Sequence, residues 1–300
     1  MKEYTLAQQY TLTAIDGQEA VHMSQAKLAV CRGIAAAKML EHLFLSGESA
    51  EKDVLEKKLD EELKKIQGMG KRAARDLEQE MVSLLKADGT LEEIPDLMAC
   101  DINYSTMNME LRAYRCQEDI YRKITEGMRA ELLDGGEVSL ESLCLIWLFR
   151  ESGCIPELFS SSEQNQLLSR MTELTACNPV ARILWNTGFS RWTERLSQNF
   201  LNFKREIFKN PYLEGVNLLF PFLERRQAVF IDFVVLGTSV ADRRLAVLAF
   251  LSEKGHYVQE VPRGSETLLK IDNYYYRIFP MTRTYNRIPV QGANLVPVYN

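Results

Sequence analysis

Apolar positions recur near helical spacing along most of the chain before Arg226. After a short amphipathic opening around Leu6 to Ile15, Ser24 offers an N-cap. Leu28, Cys31, Ile34, Ala35, Leu40 and Leu43 then mark a helix to about Leu45, with Ser46-Gly47 as its stop. Residues 51–66 predict a second helix. Its acid-then-base pairs at i,i+4, Asp60 with Lys64 and Glu61 with Lys65, are the pattern of a solvated face. Gly68 and Gly70 interrupt it, and a further helix runs from Lys71 to Lys86, closing at Asp88-Gly89. Thr90 to Tyr104, with Pro95 inside it, reads as a loop or weak β-hairpin, followed by a helix from about Ser105 to Leu133. Ser139 opens a segment, LESLCLIWLFRESG, apolar enough to be buried on most sides and stopped by Gly153. Ser160 and Glu163 carry a capping-box signature for a helix to about Thr175. Asn178-Pro179 begins a long helix bearing Trp185, Trp192, Leu196 and Phe200 and ending near Asn210-Pro211.

After Arg226 the period changes. Ala228 to Leu236 is β-branched and aromatic over strand length, and Gly237-Thr-Ser leads into a helix from Val240 to Lys254, closed by Gly255. Strand candidates follow at His256–Val261, Thr267–Ile271 and Tyr274–Phe279, with one or two more between Arg287 and Tyr299 around Gly292. The pattern predicts a mostly α chain with a smaller α+β C-terminal part. We divide it into a helical domain (1–177), connecting helices (178–226) and an α+β domain (227–300).

Composition narrows the function classes. The 300 residues carry a net charge of -5, and 46% are hydrophobic and 26% charged, which is ordinary for a globular chain. The balance argues against a duplex-DNA binder. Residues 224–300 hold 10 basic against 7 acidic side chains and the remainder 26 against 34, so the acidic bias belongs to the front of the chain. The six cysteines form no C-x-x-C pair and read as free thiols of a reducing compartment. The opening residues lack the apolar core of a secretory signal. The most apolar runs, Leu140 to Phe149 and Ala228 to Leu236, fall well short of the ~20 residues of a membrane span. We expect a cytoplasmic protein without a transmembrane segment.

Several patterned stretches resemble the bacterial form of the Golgi phosphoprotein 3-like (GPP34) family. Tyr4 to Gly17 is similar to the family's leucine-patterned opening, and Ile34-Ala-Ala-Ala-Lys-Met-Leu-Glu-His-Leu43 to its small-residue helix. Met81 to Leu91 is similar to the entry into its hairpin. Met128 to Ser139, continuing through Ser152-Gly153 to Leu158-Phe159-Ser160, is similar to its late helix, turn, core helix and final helix. The resemblance covers residues 4–175 and stops there. It implies a helical domain with a short β-hairpin and a peripheral membrane adaptor, because the eukaryotic members bind phosphatidylinositol 4-phosphate and glycosyltransferase tails. The family's headgroup site uses a tryptophan and arginines beside the hairpin. Here Ala87 to Glu110 holds six acidic residues and no Lys or Arg, and no Trp precedes Trp147. No lipid-binding residue carries across.

The residues themselves offer two anion-binding candidates. Gly68-Met-Gly-Lys-Arg-Ala-Ala-Arg75 places glycines before a helix N-terminus, where free backbone N–H groups and the helix dipole favour an anion. Lys71, Arg72 and Arg75, with Lys64 and Lys65, add charge; the bland alternative is a helix–helix turn with solvated side chains. Thr238 and Ser239, with Arg243 and Arg244 in the following turns, form the second candidate, for which plain N-capping is a full alternative. Tyr274-Tyr-Tyr-Arg277 mixes aromatic and basic residues, as single-strand nucleic-acid platforms do, although its alternation also suits a half-buried strand. Asp232 sits inside an apolar strand and needs a partner if it faces inward. The three histidines are scattered and no metal or cofactor motif is present. The leading expectation is a non-enzymatic binding or adaptor protein for an anionic lipid headgroup or a protein partner. The alternatives are an enzyme or nucleotide-binding protein with its site in the C-terminal part, and a structural homo-oligomer joined through the tail strands.

Overall fold

A computed structural model describes residues 3–45, 52–105, 110–189, 226, 228–232, 239–263 and 266–298. The chain is mostly helical and ends in an antiparallel sheet. In the helical part α1 (Leu6–Ala14), α2 (Gln25–Leu40), α3 (Lys52–Gly68) and α4 (Lys71–Ala87) precede β1 (Leu91–Pro95). Then come a short α5 (Ile102–Ser105), β2 (Arg112–Cys116), α6 (Glu118–Leu133), α7 (Leu140–Ser152), a short α8 (Ile155–Leu158), α9 (Ser161–Cys177) and α10 (Pro179–Asn186). The C-terminal part has β3 (Val229–Asp232), α11 (Val240–Glu253), β4 (Val258–Arg263), β5 (Glu266–Ile271), β6 (Tyr274–Tyr285) and β7 (Ile288–Val298).

The caps lie where the sequence placed them. The hydroxyls of Ser24, Ser139 and Ser160 accept from the backbone N–H groups of Lys27, Ser142 and Glu163, and Gly153 ends α7 in the left-handed region at φ 76°. At α1, Glu41 accepts from the Ala7 N–H at 2.7 Å, so the helix start is held from the far end of α2. The apolar helix α7 is the centre of the helical core, with Leu143 to Phe149 all buried against α1 and α2. Arg150 at its end donates to the carbonyls of Trp185 and Thr187, tying down the C-terminus of α10.

Two expectations change. The helix expected from Ser105 to Leu133 starts at Glu118, because Arg112–Cys116 is strand β2, antiparallel to β1. Its other edge is covered by residues 17–20: Gly17 N–H donates to Tyr114 O, Tyr114 N–H to Gln18 O and Ala20 N–H to Arg112 O. Backbone partners on both sides, with Ala113, Tyr114 and Cys116 buried, outweigh the helix-forming composition of this stretch. The helix begun at Pro179 ends at Asn186, where Thr187 turns extended (ψ 165°). Trp192, Leu196, Phe200, Asn210-Pro211, Ser46-Gly47 and the strand residues beyond Asp232 lie outside the described residues.

The C-terminal sheet has the order β3-β7-β6-β5-β4, all neighbours antiparallel. Alternation along β6 buries Tyr274 and Tyr276, and together with Ile231, Ile271 and Leu295 they pack against Val247 and Leu251 of α11. Leu97, Met98 and Cys100, from the connection between β1 and β2, share this core, so the helical part contributes to the packing of the sheet. Asp101 strengthens that tie by accepting from the Phe230 N–H at 2.8 Å and meeting Arg283 at 3.3 Å.

Candidate functional site

The seam between the helical part and the sheet is polar. Asp16, just after α1, accepts from the Cys116 N–H at 2.7 Å and from Asn273 Nδ2 at 3.2 Å, while Tyr274 Oη donates to its carbonyl. Burial, only partly offset by these bonds, pushes the Asp16 carboxyl up to about 7. Tyr274 approaches so closely that a Cβ on Gly17, itself at φ +67°, would meet its ring at 2.7 Å. Arg115 of β2 reaches Glu92 at 2.9 Å and Asp272 at 2.7 Å, joining the β1–β2 pair to the turn between β5 and β6.

Asp272 also holds a histidine. Its Oδ2 lies 2.8 Å from His256 Nδ1, and its Oδ1 accepts from the Tyr257 N–H and from Arg115. Burial raises this carboxyl, but the hydrogen bonds and charges of His256 and Arg115 more than offset that, so it lies below the usual carboxylate range. Asp272 therefore stays ionised, and Nδ1 carries the proton. The other ring nitrogen, Nε2, is buried and has no hydrogen-bond partner among the described residues. His256 lines a chamber of about 470 Å³ with Glu19, Ser24, Lys71, Asp96 and Tyr276, a size suited to a small ligand. Asp96 caps the turn at Leu97 by accepting from the Met98 N–H at 2.8 Å. Burial, together with the charge of Glu19, raises its carboxyl. Lys27, also on the chamber wall, is fully occupied: it pairs with buried Glu78 at 2.6 Å and donates to the carbonyls of Glu19 and Ala20.

A second cavity, about 530 Å³, is lined by His22, Met23, Ser24, Lys71, Arg72 and Arg75. Met23, Ser24 and Lys71 line both, so the two cavities adjoin, and we refer to this basic space as the mouth of the chamber. The mouth sits at the start of α4, whose N-cap, Gly70, has no side chain to cap the helix. A Cβ on Gly68 or Gly70 would meet nothing within 4 Å, so the turn leaves the helix end open. Arg75 is steadied by donating to Val21 O at 3.0 Å, and His22 pairs with Glu19.

The structure thus gathers three of the five basic residues singled out in the sequence, Lys71, Arg72 and Arg75. The other two turn away: Lys64 pairs with Asp60 at 2.6 Å and Lys65 with Glu62 at 2.5 Å on the exposed face of α3. At the second candidate, Ser239 caps α11 and the Asp242 carboxylate accepts from the Ser239 N–H at 3.0 Å, placing an acid where an anion would bind. Arg244 faces Glu260 at 3.8 Å, Arg243 is half-buried, and Thr238 lies outside the described residues. Asp232 ends β3 exposed, and Tyr274 and Tyr276 are buried packing residues. Among the described residues no cluster of His, Cys, Asp or Glu is arranged to hold a metal, and no helix is long and apolar enough to cross a membrane. Sequence reasoning missed His256, Asp272, Asp96 and His22, which are far apart in the chain. The capped turn at Asp96 was the one local signal available. Compared with known proteins, the chain matches no family model, no curated protein and no solved structure.

Proposed function

We propose that this chain is a non-enzymatic binding protein that takes a phosphate-bearing headgroup at the mouth formed by Lys71, Arg72 and Arg75. One observation carries the reading: the charged residues lining that mouth are all basic, and they surround an uncapped helix N-terminus. Backbone N–H groups and the positive end of the helix dipole favour an anion there, and the side chains add to the field. The resemblance of residues 4–175 to the Golgi phosphoprotein 3-like family supports an adaptor at a membrane surface. The basic mouth, not the acidic stretch Ala87 to Glu110, is the part of the chain that suits such a role. The test is flotation with liposomes containing anionic phospholipid. The wild-type chain floats, and Arg72→Glu/Arg75→Glu reduces the floated fraction at least fivefold. Flotation that ignores these two charges would exclude the mouth as the membrane contact.

A further inference from the structure

The mouth and the chamber behind it differ in charge, and the difference selects a class of ligand. At the mouth the charged side chains are Lys71, Arg72 and Arg75, with His22 beside them. Inside, Lys27 is engaged by Glu78, Arg115 by Glu92 and Asp272, and buried Arg226 by Glu157 at 3.5 Å and by the face of the Tyr274 ring. Asp96 has the Met98 N–H as its hydrogen-bond donor and no cation paired with it among the described residues. Burial and the neighbouring Glu19 both oppose its ionisation, so a positive group placed beside it relieves both. His256 adds a second demand. With Nδ1 committed to Asp272, Nε2 is buried without a hydrogen-bond partner among the described residues, a state that is costly unless a polar ligand atom fills it. The ring of Tyr276, on the same wall, suits a cation as well.

We propose that mouth and chamber form one site for a small phosphorylated amine. Its phosphate sits with Lys71, Arg72 and Arg75, and its ammonium lies inside with Asp96, Glu19 and the unpartnered Nε2 of His256. This rests on the reading of the mouth as an anion site. A bare phosphate leaves Asp96 and His256 unanswered, and a neutral polyol phosphate answers His256 but brings no positive charge to Asp96. Lys71, common to both cavities, sets the join between the two halves of the ligand.

Calorimetric titration of the full chain with O-phosphoethanolamine and with inorganic phosphate tests the proposal without any variant. O-phosphoethanolamine binds at least tenfold more tightly. In Asp96→Asn, whose amide oxygen still caps the Leu97 turn, that advantage disappears while the affinity for inorganic phosphate stays within twofold. Equal affinities in the wild-type chain, or an advantage that survives Asp96→Asn, overturns the amine site and leaves the anion site standing. Failure of both probes to bind removes the anion site and this proposal together. Co-sedimentation with phosphatidylethanolamine vesicles in a phosphatidylcholine background separates the sources. Binding to vesicles points to a lipid headgroup, and binding to free O-phosphoethanolamine alone points to a soluble metabolite of the same chemistry.

Discussion

Asp16 shows how one side chain makes the seam sensitive to pH. In the unfolded chain its carboxyl has the ordinary value of 3.8; in the folded chain burial lifts it to about 7. Between these values the folded state holds a proton that the unfolded state has lost, so the contribution of Asp16 to stability falls as pH rises. That contribution is complete below about pH 4 and gone above about pH 7, a swing of about 4 kcal/mol from the size of the shift. Asp16→Asn keeps an oxygen for the Cys116 N–H and removes the titration. Chemical denaturation of both chains from pH 4 to 8 is expected to show the wild type losing ground to the variant through this window and running parallel above it. A difference that stays flat with pH contradicts the assignment. Asp16 sits in an unremarkable AIDG stretch. Nothing local announces its burial, which comes from β2 and the β5–β6 turn closing over it.

Among the elements, those set by neighbours in sequence were legible and those set by distant partners were not. Serine caps, the glycine stop at Gly153 and the alternation of β6 all depend on residues within a turn or a strand. Strand β2 depends on β1 and on residues 17–20, and its sequence, LRAYRCQ, fits a helix equally well until those partners are present. The same holds for Lys27 and Glu78, which face each other between α2 and α4, each almost wholly inaccessible. On either helix alone each reads as a surface charge. The pair is fully satisfied, since Tyr114 Oη also donates to Glu78 at 2.9 Å. Removing one partner strands a buried charge, which typically costs about 3–5 kcal/mol. Lys27→Met is therefore expected to destabilise by about that much in urea denaturation. Adding Glu78→Gln, neutral but still an acceptor for Tyr114, returns more than half of the loss. If the double variant is no more stable than the single, the cost lies in packing and not in the orphaned charge.

For the whole molecule, the candidate site belongs to neither half alone. The chamber draws Lys27 and Asp96 from the helical part and His256, Asp272 and Tyr276 from the sheet, and the mouth comes from the start of α4 and the segment before α2. The sequence marked the mouth, because glycines before a basic helix start are a local pattern with a local cause. It left the chamber unmarked, because its residues converge only when the β5–β6 turn and His256 meet Arg115 and Asp96. The central claim is that an anion binds at the open end of α4. Hydrogen–deuterium exchange of the intact chain, with and without saturating inorganic phosphate, tests it most directly. Bound phosphate is expected to slow exchange only in peptides covering Gly70 to Arg75 and Val21 to Ser24. Unchanged exchange in these two segments would contradict it.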